Sequence, residues 1–195
     1  SEAAILRTFN FGTRLAWGGG RAISPELIEI DETDYRTHYL TAGMAFHRRT
    51  EERFLETVIA CGEQKQVTHR CGFGVDLPSP LIAARNFMDE PYSVALPDIG
   101  QTSSTGWLVN IDVREVFADL EAPLYDTNGR LIGMRLHLGE TAGKSVTAKL
   151  RFWRSVASAA RVDHQGGSLS KLAVDDDRVT IALRANEHVF VDVKW

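Results

Sequence analysis

Four tryptophans, Trp17, Trp107, Trp153 and Trp195, are the residues of this sequence best suited to chemistry at a surface. The apolar face of an indole stacks on the C–H face of a sugar ring, and its N–H donates one hydrogen bond. Trp17 stands before Gly18-Gly19-Gly20-Arg21. Trp17 and Arg21 are therefore expected on a loop edge that stacks on a sugar or docks on another domain. Trp107 follows Gly106 and precedes Leu108-Val109. Trp153 lies on the polar phase of its segment and is expected to face solvent or a second domain. Trp195 continues an apolar phase and is expected in the core. Trp17, Arg21, Trp107 and Trp153 are the candidates for carbohydrate or domain contact.

No catalytic set stands out beside them. The histidines are His38, His47, His69, His137, His164 and His188. None lies three to five residues from another, so no helical or finger-type metal pair is formed. Most sit on the polar phase of extended segments and read as surface residues. Asp175-Asp176-Asp177 lacks the spaced oxygen ligands of a calcium loop and reads as a solvated turn. No GxSxG nucleophile elbow is present, and no GK[ST] follows Gly18-Gly19-Gly20. Glu29, Asp31, Asp112 and Glu140 are among many acids, and no spacing singles out a hydrolytic pair. Glu140 and Glu187 read as edge or turn residues. Cys61 and Cys71 are too far apart for a CxxC site and read as half-buried thiols on neighbouring strands. A bridge between them would need those strands to form a hairpin. No catalytic residue, metal ligand or cofactor is assigned to this chain.

The elements that would position these residues follow a period of two. Val146, Ala148, Leu150 and Phe152 alternate with Thr147, Lys149 and Arg151. Ile132 to Leu138, Val179 to Leu183 and Val189 to Trp195 alternate in the same way. Each run offers one apolar face and one polar face, as antiparallel strands do. Asn128-Gly129, Ala142-Gly143-Lys144, Gly166-Gly167 and the three aspartates read as turns. The first half is less regular. Leu27 to Leu40 gives two extended runs around Asp31-Glu32-Thr33-Asp34. Val67 to Val75 alternates, and Glu51 to Ala60 fits a short helix or a strand. Leu77-Pro78-Ser79-Pro80 must be extended, and Leu81 to Met88 predicts a short helix. The fold class is all-β: an antiparallel β-sandwich, large or in two sub-sheets, with at most one or two short helices. Residues 1–195 read as a single sandwich region, with residue 103, in the loop Gln101 to Gly106, as the point of any sub-division.

Composition bounds the function. Of the 195 residues, 44% are hydrophobic and 25% charged, the balance of a folded domain rather than a disordered chain. Lys and Arg number 22 against 26 Asp and Glu, a net charge of −4. A general nucleic-acid binder needs a basic face, so nucleic acid is not expected as a partner. No apolar run reaches the roughly 20 residues of a membrane-spanning helix, and no membrane partner is expected. The chain begins with Ser1 rather than Met and reads as a processed protein or a piece of a longer one.

Three stretches carry a resemblance. The first includes Arg135-Leu136-His137-Leu138-Gly139-Glu140-Thr141-Ala142-Gly143, then Ala159-Ala160-Arg161-Val162-Asp163, then Val179 to Glu187 and a closing strand. The second is Phe73-Gly74-Val75-Asp76-Leu77-Pro78-Ser79-Pro80-Leu81, and the third Gly106-Trp107-Leu108-Val109-Asn110-Ile111-Asp112. Over the last two-thirds of its length the chain resembles the C-terminal β-rich region of family-38 glycoside hydrolases, the α-mannosidase-like enzymes. The resemblance implies a β-sandwich tail that packs on a catalytic domain and lends a loop to the sugar site. In that family the zinc and nucleophile belong to the α/β and helical domains. No position here matches their motifs, so zinc is expected only in the parent catalytic domain. The implied partners are carbohydrate and the remaining domains of the parent. Two other readings stand beside it. One is a free-standing carbohydrate-binding or lectin-like module, whose sugar affinity would fall on Trp107→Ala or Trp17→Ala. The other is a complete small enzyme with acids brought together across a sheet face.

Overall fold

The computed structural model describes residues 4–9, 13–16, 20–50, 54–60, 62, 68–89 and 106–195. The chain divides into two compact units, Ser1–Tyr92 and Ser93–Trp195. Both are built from antiparallel strands, with one short helix among the described residues.

The first unit contains β1 (Ala4–Phe9), β2 (Thr13–Ala16), β3 (Arg21–Ile23), β4 (Leu27–Asp31), β5 (Arg36–Leu40), β6 (Phe46–Thr50), β7 (Phe54–Thr57), β8 (Gly72–Val75) and α1 (Pro80–Met88). One sheet runs β2-β1-β4-β5-β8 and a second runs β3-β6-β7. Ile28 and Ala22 are buried between them, with Ile5, Ile30, Tyr39 and Leu55 packed around. The opposite face of β4 and β5 packs Leu27 and Leu40 against Ala84 of α1, with Leu77 and Phe87 at the margin. The helix starts at Pro80, whose missing N–H would have no partner in a first turn anyway. Within the segment Glu51 to Ala60, open between helix and strand in the sequence, Phe54–Thr57 form β7, and residues 51–53 lie outside the described residues. The expected alternation from Val67 to Val75 shortens to β8, with Val67 outside the described residues.

The second unit contains β9 (Val109–Ile111), β10 (Val116–Tyr125), β11 (Leu131–Glu140), β12 (Val146–Phe152), β13 (Ser158–Val162), β14 (Ser168–Lys171), β15 (Ala173–Asp175), β16 (Arg178–Leu183) and β17 (His188–Lys194). It is a sandwich of β10-β11-β17-β13-β14 on β15-β16-β12-β9. Met134, Leu136, Leu138, Val191 and Val193 from the first sheet meet Ala148, Leu150, Phe152, Val179 and Ile181 from the second. These are the apolar phases of the alternating runs, so period two alone decides which face is inside. Turn chemistry fits the same register. Asp126 Oδ1 accepts the amides of Asn128 and Arg130 at 2.8 and 2.9 Å, and Gly129 takes φ +76° between β10 and β11. Asp163 Oδ1 likewise accepts the amides of Gln165 and Gly167, both at 2.8 Å.

Candidate functional site

In the first unit, β3, β6 and β7 form a cleft of about 830 Å³. Its walls are Arg21, Ile23, Phe46, Arg48, Glu56 and Val58, with Ala22, His47 and Thr57 beneath. The register explains the split. Arg21 lies opposite Arg48 and Ile23 opposite Phe46, while Ala22 and His47 pair on the inner face. Phe46 and Val58 remain exposed. The Arg48 Nε and Nη2 donate to Glu56 Oε2 at 2.8 and 2.5 Å, and Thr50 Oγ1 donates to Oε1 at 3.1 Å. These bonds, that of Arg48 foremost, hold the Glu56 carboxyl below its ordinary pKa. Arg21, expected on a loop edge, is instead the first residue of a strand. Trp17 lies outside the described residues, so its expected place beside Arg21 does too.

His47 closes the floor of this cleft. Its Nε2 is 2.9 Å from the Ser24 carbonyl oxygen, and its Nδ1 is 3.0 Å from Thr57 Oγ1. A carbonyl only accepts, so Nε2 carries the proton and Nδ1 accepts from the hydroxyl. Burial lowers the imidazole pKa, against the opposing pull of the Ser24 and Met44 carbonyls. His38 is also interior: its Nε2 donates to Glu29 Oε2 at 3.1 Å, and both side chains are 2% exposed or less. The sequence placed these two histidines on the surface. The correction has a physical reason: each finds its hydrogen-bond partner on a neighbouring strand, which sequence spacing does not reveal.

In the second unit, Trp107 and Trp153 are 48% and 50% exposed. The Trp153 amide donates to the Leu108 carbonyl at 3.3 Å, which sets the two segments side by side. The guanidinium of Arg151 lies 5.5 Å from the Trp107 ring centre. That of Arg154 lies 5.1 Å from Trp153 and 5.3 Å from Trp195. Trp195 packs against the core, edge-on to Trp153 at 6.2 Å. The structure thus brings two of the four candidates, Trp107 and Trp153, onto adjoining segments, and leaves Arg21 in the other unit.

Two clusters escaped sequence reasoning. His137 Nε2 and His188 Nδ1 are 3.2 Å apart, on β11 and β17, with Phe117 and Phe190 rings beside them. Asp119 Oδ2 stands 3.8 Å from His137 Nδ1. No group of three or more His, Cys, Asp or Glu side chains is arranged to hold a metal among the described residues. The second cluster centres on Glu140, 2% exposed rather than an edge residue. Its Oε1 accepts the Ala142 amide at 2.7 Å. Its Oε2 accepts those of Gly143, Lys144 and Asn186 at 2.9, 3.1 and 2.8 Å. A strand-end acid followed by small residues and Gly143 was a visible signal for such a turn, but the reach to Asn186 was not. Glu187 beside it binds Arg161 Nη1 and the Arg184 amide at 2.9 and 2.6 Å. Burial works against its charge, yet these partners prevail and its pKa is lowered. Cys71 is an exposed free thiol ahead of β8, not a half-buried strand residue. Cys61 lies outside the described residues. No protein-family model matches the chain, and no curated protein matches it.

Proposed function

We propose that this chain is a non-catalytic β-sandwich region of a glycoside hydrolase resembling the α-mannosidases, packing on the catalytic domain of that protein. The observation that carries the reading is the bond from Asn186 to Glu140. The resemblance rests on separate segments, among them the step Glu140-Thr141-Ala142-Gly143 and the step Asn186-Glu187. These two steps meet in space at one buried carboxylate. They are therefore parts of one folding device, which supports reading them as a fold signature. The exposed indoles of Trp107 and Trp153, with exposed Leu108 next to Trp107, are the surface offered to the catalytic domain or to its sugar. By the resemblance, the zinc of such an enzyme would belong to that other domain.

The test is an assay of the isolated chain with aryl glycosides and zinc, set beside the product of the longer reading frame. The longer product is expected to turn over and the isolated chain to be inert. Zinc-dependent turnover by the isolated chain would overturn the proposal. The exposure of Trp107 and Trp153 also favours a second reading, a carbohydrate-binding module. Saturable binding of a neutral glycan by the isolated chain, lost on Trp107→Ala, would decide for it.

A further inference from the structure

The outer face of β3, β6 and β7 is laid out in rows. Residues in register across strands share a row, and alternate residues along a strand point the same way. One row is apolar. Ile23 lies opposite Phe46, and the Val58 amide donates to the Phe46 carbonyl at 2.9 Å. The next row, two residues along, sets Arg21 opposite Arg48 and Arg48 opposite Glu56. At a rise of about 3.3 Å per residue, the rows lie about 6.6 Å apart. The cleft of about 830 Å³ covers both.

Charge in the second row does not balance. Glu56 is engaged by Arg48 and Thr50. Arg21 is a second guanidinium with no carboxylate partner among the described residues. The floor makes no polar demand, because both ring nitrogens of His47 are already bonded. An apolar body laid over it strands no donor or acceptor. The volume also lies in the range of small-molecule sites.

We infer that this cleft binds a small organic anion with an apolar body, its carboxylate on Arg21 and its body on Ile23, Phe46 and Val58. The guanidinium fork matches a carboxylate, and the row spacing matches an aliphatic or aromatic acid rather than a compact inorganic ion. The inference does not depend on the relation to glycoside hydrolases.

Calorimetric titration of the whole chain with octanoate, octan-1-ol and octylammonium tests it. Octanoate is expected to saturate a single site. The alcohol should bind about tenfold more weakly, the loss of one charge-assisted bond, and the cation more weakly still. Arg21→Gln should weaken octanoate about tenfold and leave octan-1-ol unchanged, and Arg21→Lys should retain part of the difference. Phe46→Ser should weaken both. Arg21 is a surface residue, and an unchanged thermal midpoint for Arg21→Gln confirms that the fold is intact. Equal affinity for octanoate and octan-1-ol, no saturable octanoate binding, or indifference to Arg21→Gln would overturn the inference. Oligoglutamate binding as tightly as octanoate would overturn it in favour of an acidic protein partner.

Discussion

The amide of Asn186 donates to the carboxylate of Glu140 at 2.8 Å, across 46 residues of chain. The same carboxylate holds the amides of Ala142, Gly143 and Lys144. Glu140 therefore ties the β11–β12 turn to the β16–β17 turn, and both sheets of the sandwich end on it. Removing it strands several amides at once, each costing about 1–3 kcal/mol where water does not reach. Glu140→Ala is expected to destabilise the second unit by about 3–5 kcal/mol, and Glu140→Gln by about 2 kcal/mol. Urea unfolding followed by tryptophan fluorescence measures both. A Glu140→Gln midpoint equal to the parent would show that the clamp is not needed.

How much of this was legible beforehand depended on the reach of the interaction. The strands of the second unit were readable because their apolar phase is unbroken: Ala148, Leu150 and Phe152 all point into the core. The first unit was harder to read. Its β3 and β7 are three and four residues long, too short for alternation to declare itself. The exposure of Trp153 was readable from its phase. The burial of His38, His47 and Glu140 was not, because each is hydrogen-bonded to a partner from another strand or turn. Arg21 was singled out for its place beside glycines and Trp17, whereas its neighbours in the structure are Arg48 and Phe46.

Gly133 in β11 predicts a second effect. It lies opposite Lys194, and a Cβ there would overlap the backbone carbonyl oxygen of Val193. A backbone atom in a central ladder cannot move aside without loosening β17. Gly133→Ala is expected to cost about 1–3 kcal/mol. Gly106 has nothing within 4 Å of its Cβ position, so Gly106→Ala should stay within about 0.5 kcal/mol of the parent. Similar urea midpoints for the two variants would refute the packing argument.

Glu29 and His38 form a buried polar pair on the face of β4 and β5 that carries α1. Removing either partner breaks their hydrogen bond inside the fold, at a cost of about 1–3 kcal/mol. Replacing both with leucine removes that penalty along with the bond. The double variant should be more stable than the two single costs would add up to. A double-mutant cycle in urea reads the coupling, and simple additivity would show that the pair does not act as a unit.

The two exposed indoles should separate stability from association. Trp107→Ala and Trp153→Ala remove half-exposed rings, and Trp153 also loses its edge contact with Trp195. Each is expected to shift stability by about 1 kcal/mol or less. Under the proposed function, binding to the catalytic domain should fall by about tenfold or more, as for an interface anchor. Pull-down and calorimetry on the separated domains would reveal this. Unchanged association for both variants would remove these residues from the contact surface.

His47 gives the fold of the first unit a dependence on pH. Burial lowers its pKa from the ordinary 6.5, although two carbonyls pull the other way. Between the lowered value and 6.5 the unfolded chain binds more protons than the folded one, so stability rises with pH there. The contribution is complete above pH 6.5 and is lost as pH falls through the folded value. The lowered carboxyl of Glu56, held by Arg48, acts in the same direction at more acid pH in this unit, and that of Asp163, held by the Gly167 amide, does so in the second unit. They leave the range from pH 7 to 5.5 mainly to the histidine. The urea midpoint of the first unit, followed by amide NMR signals, should fall from pH 7 to pH 5.5. His47→Gln, which keeps a side-chain amide but cannot titrate, should flatten that slope. The Cε1 proton of His47 should titrate below pH 6.5. A midpoint at or above 6.5, or an unaltered slope in His47→Gln, would show that the imidazole beneath the cleft does not set this dependence.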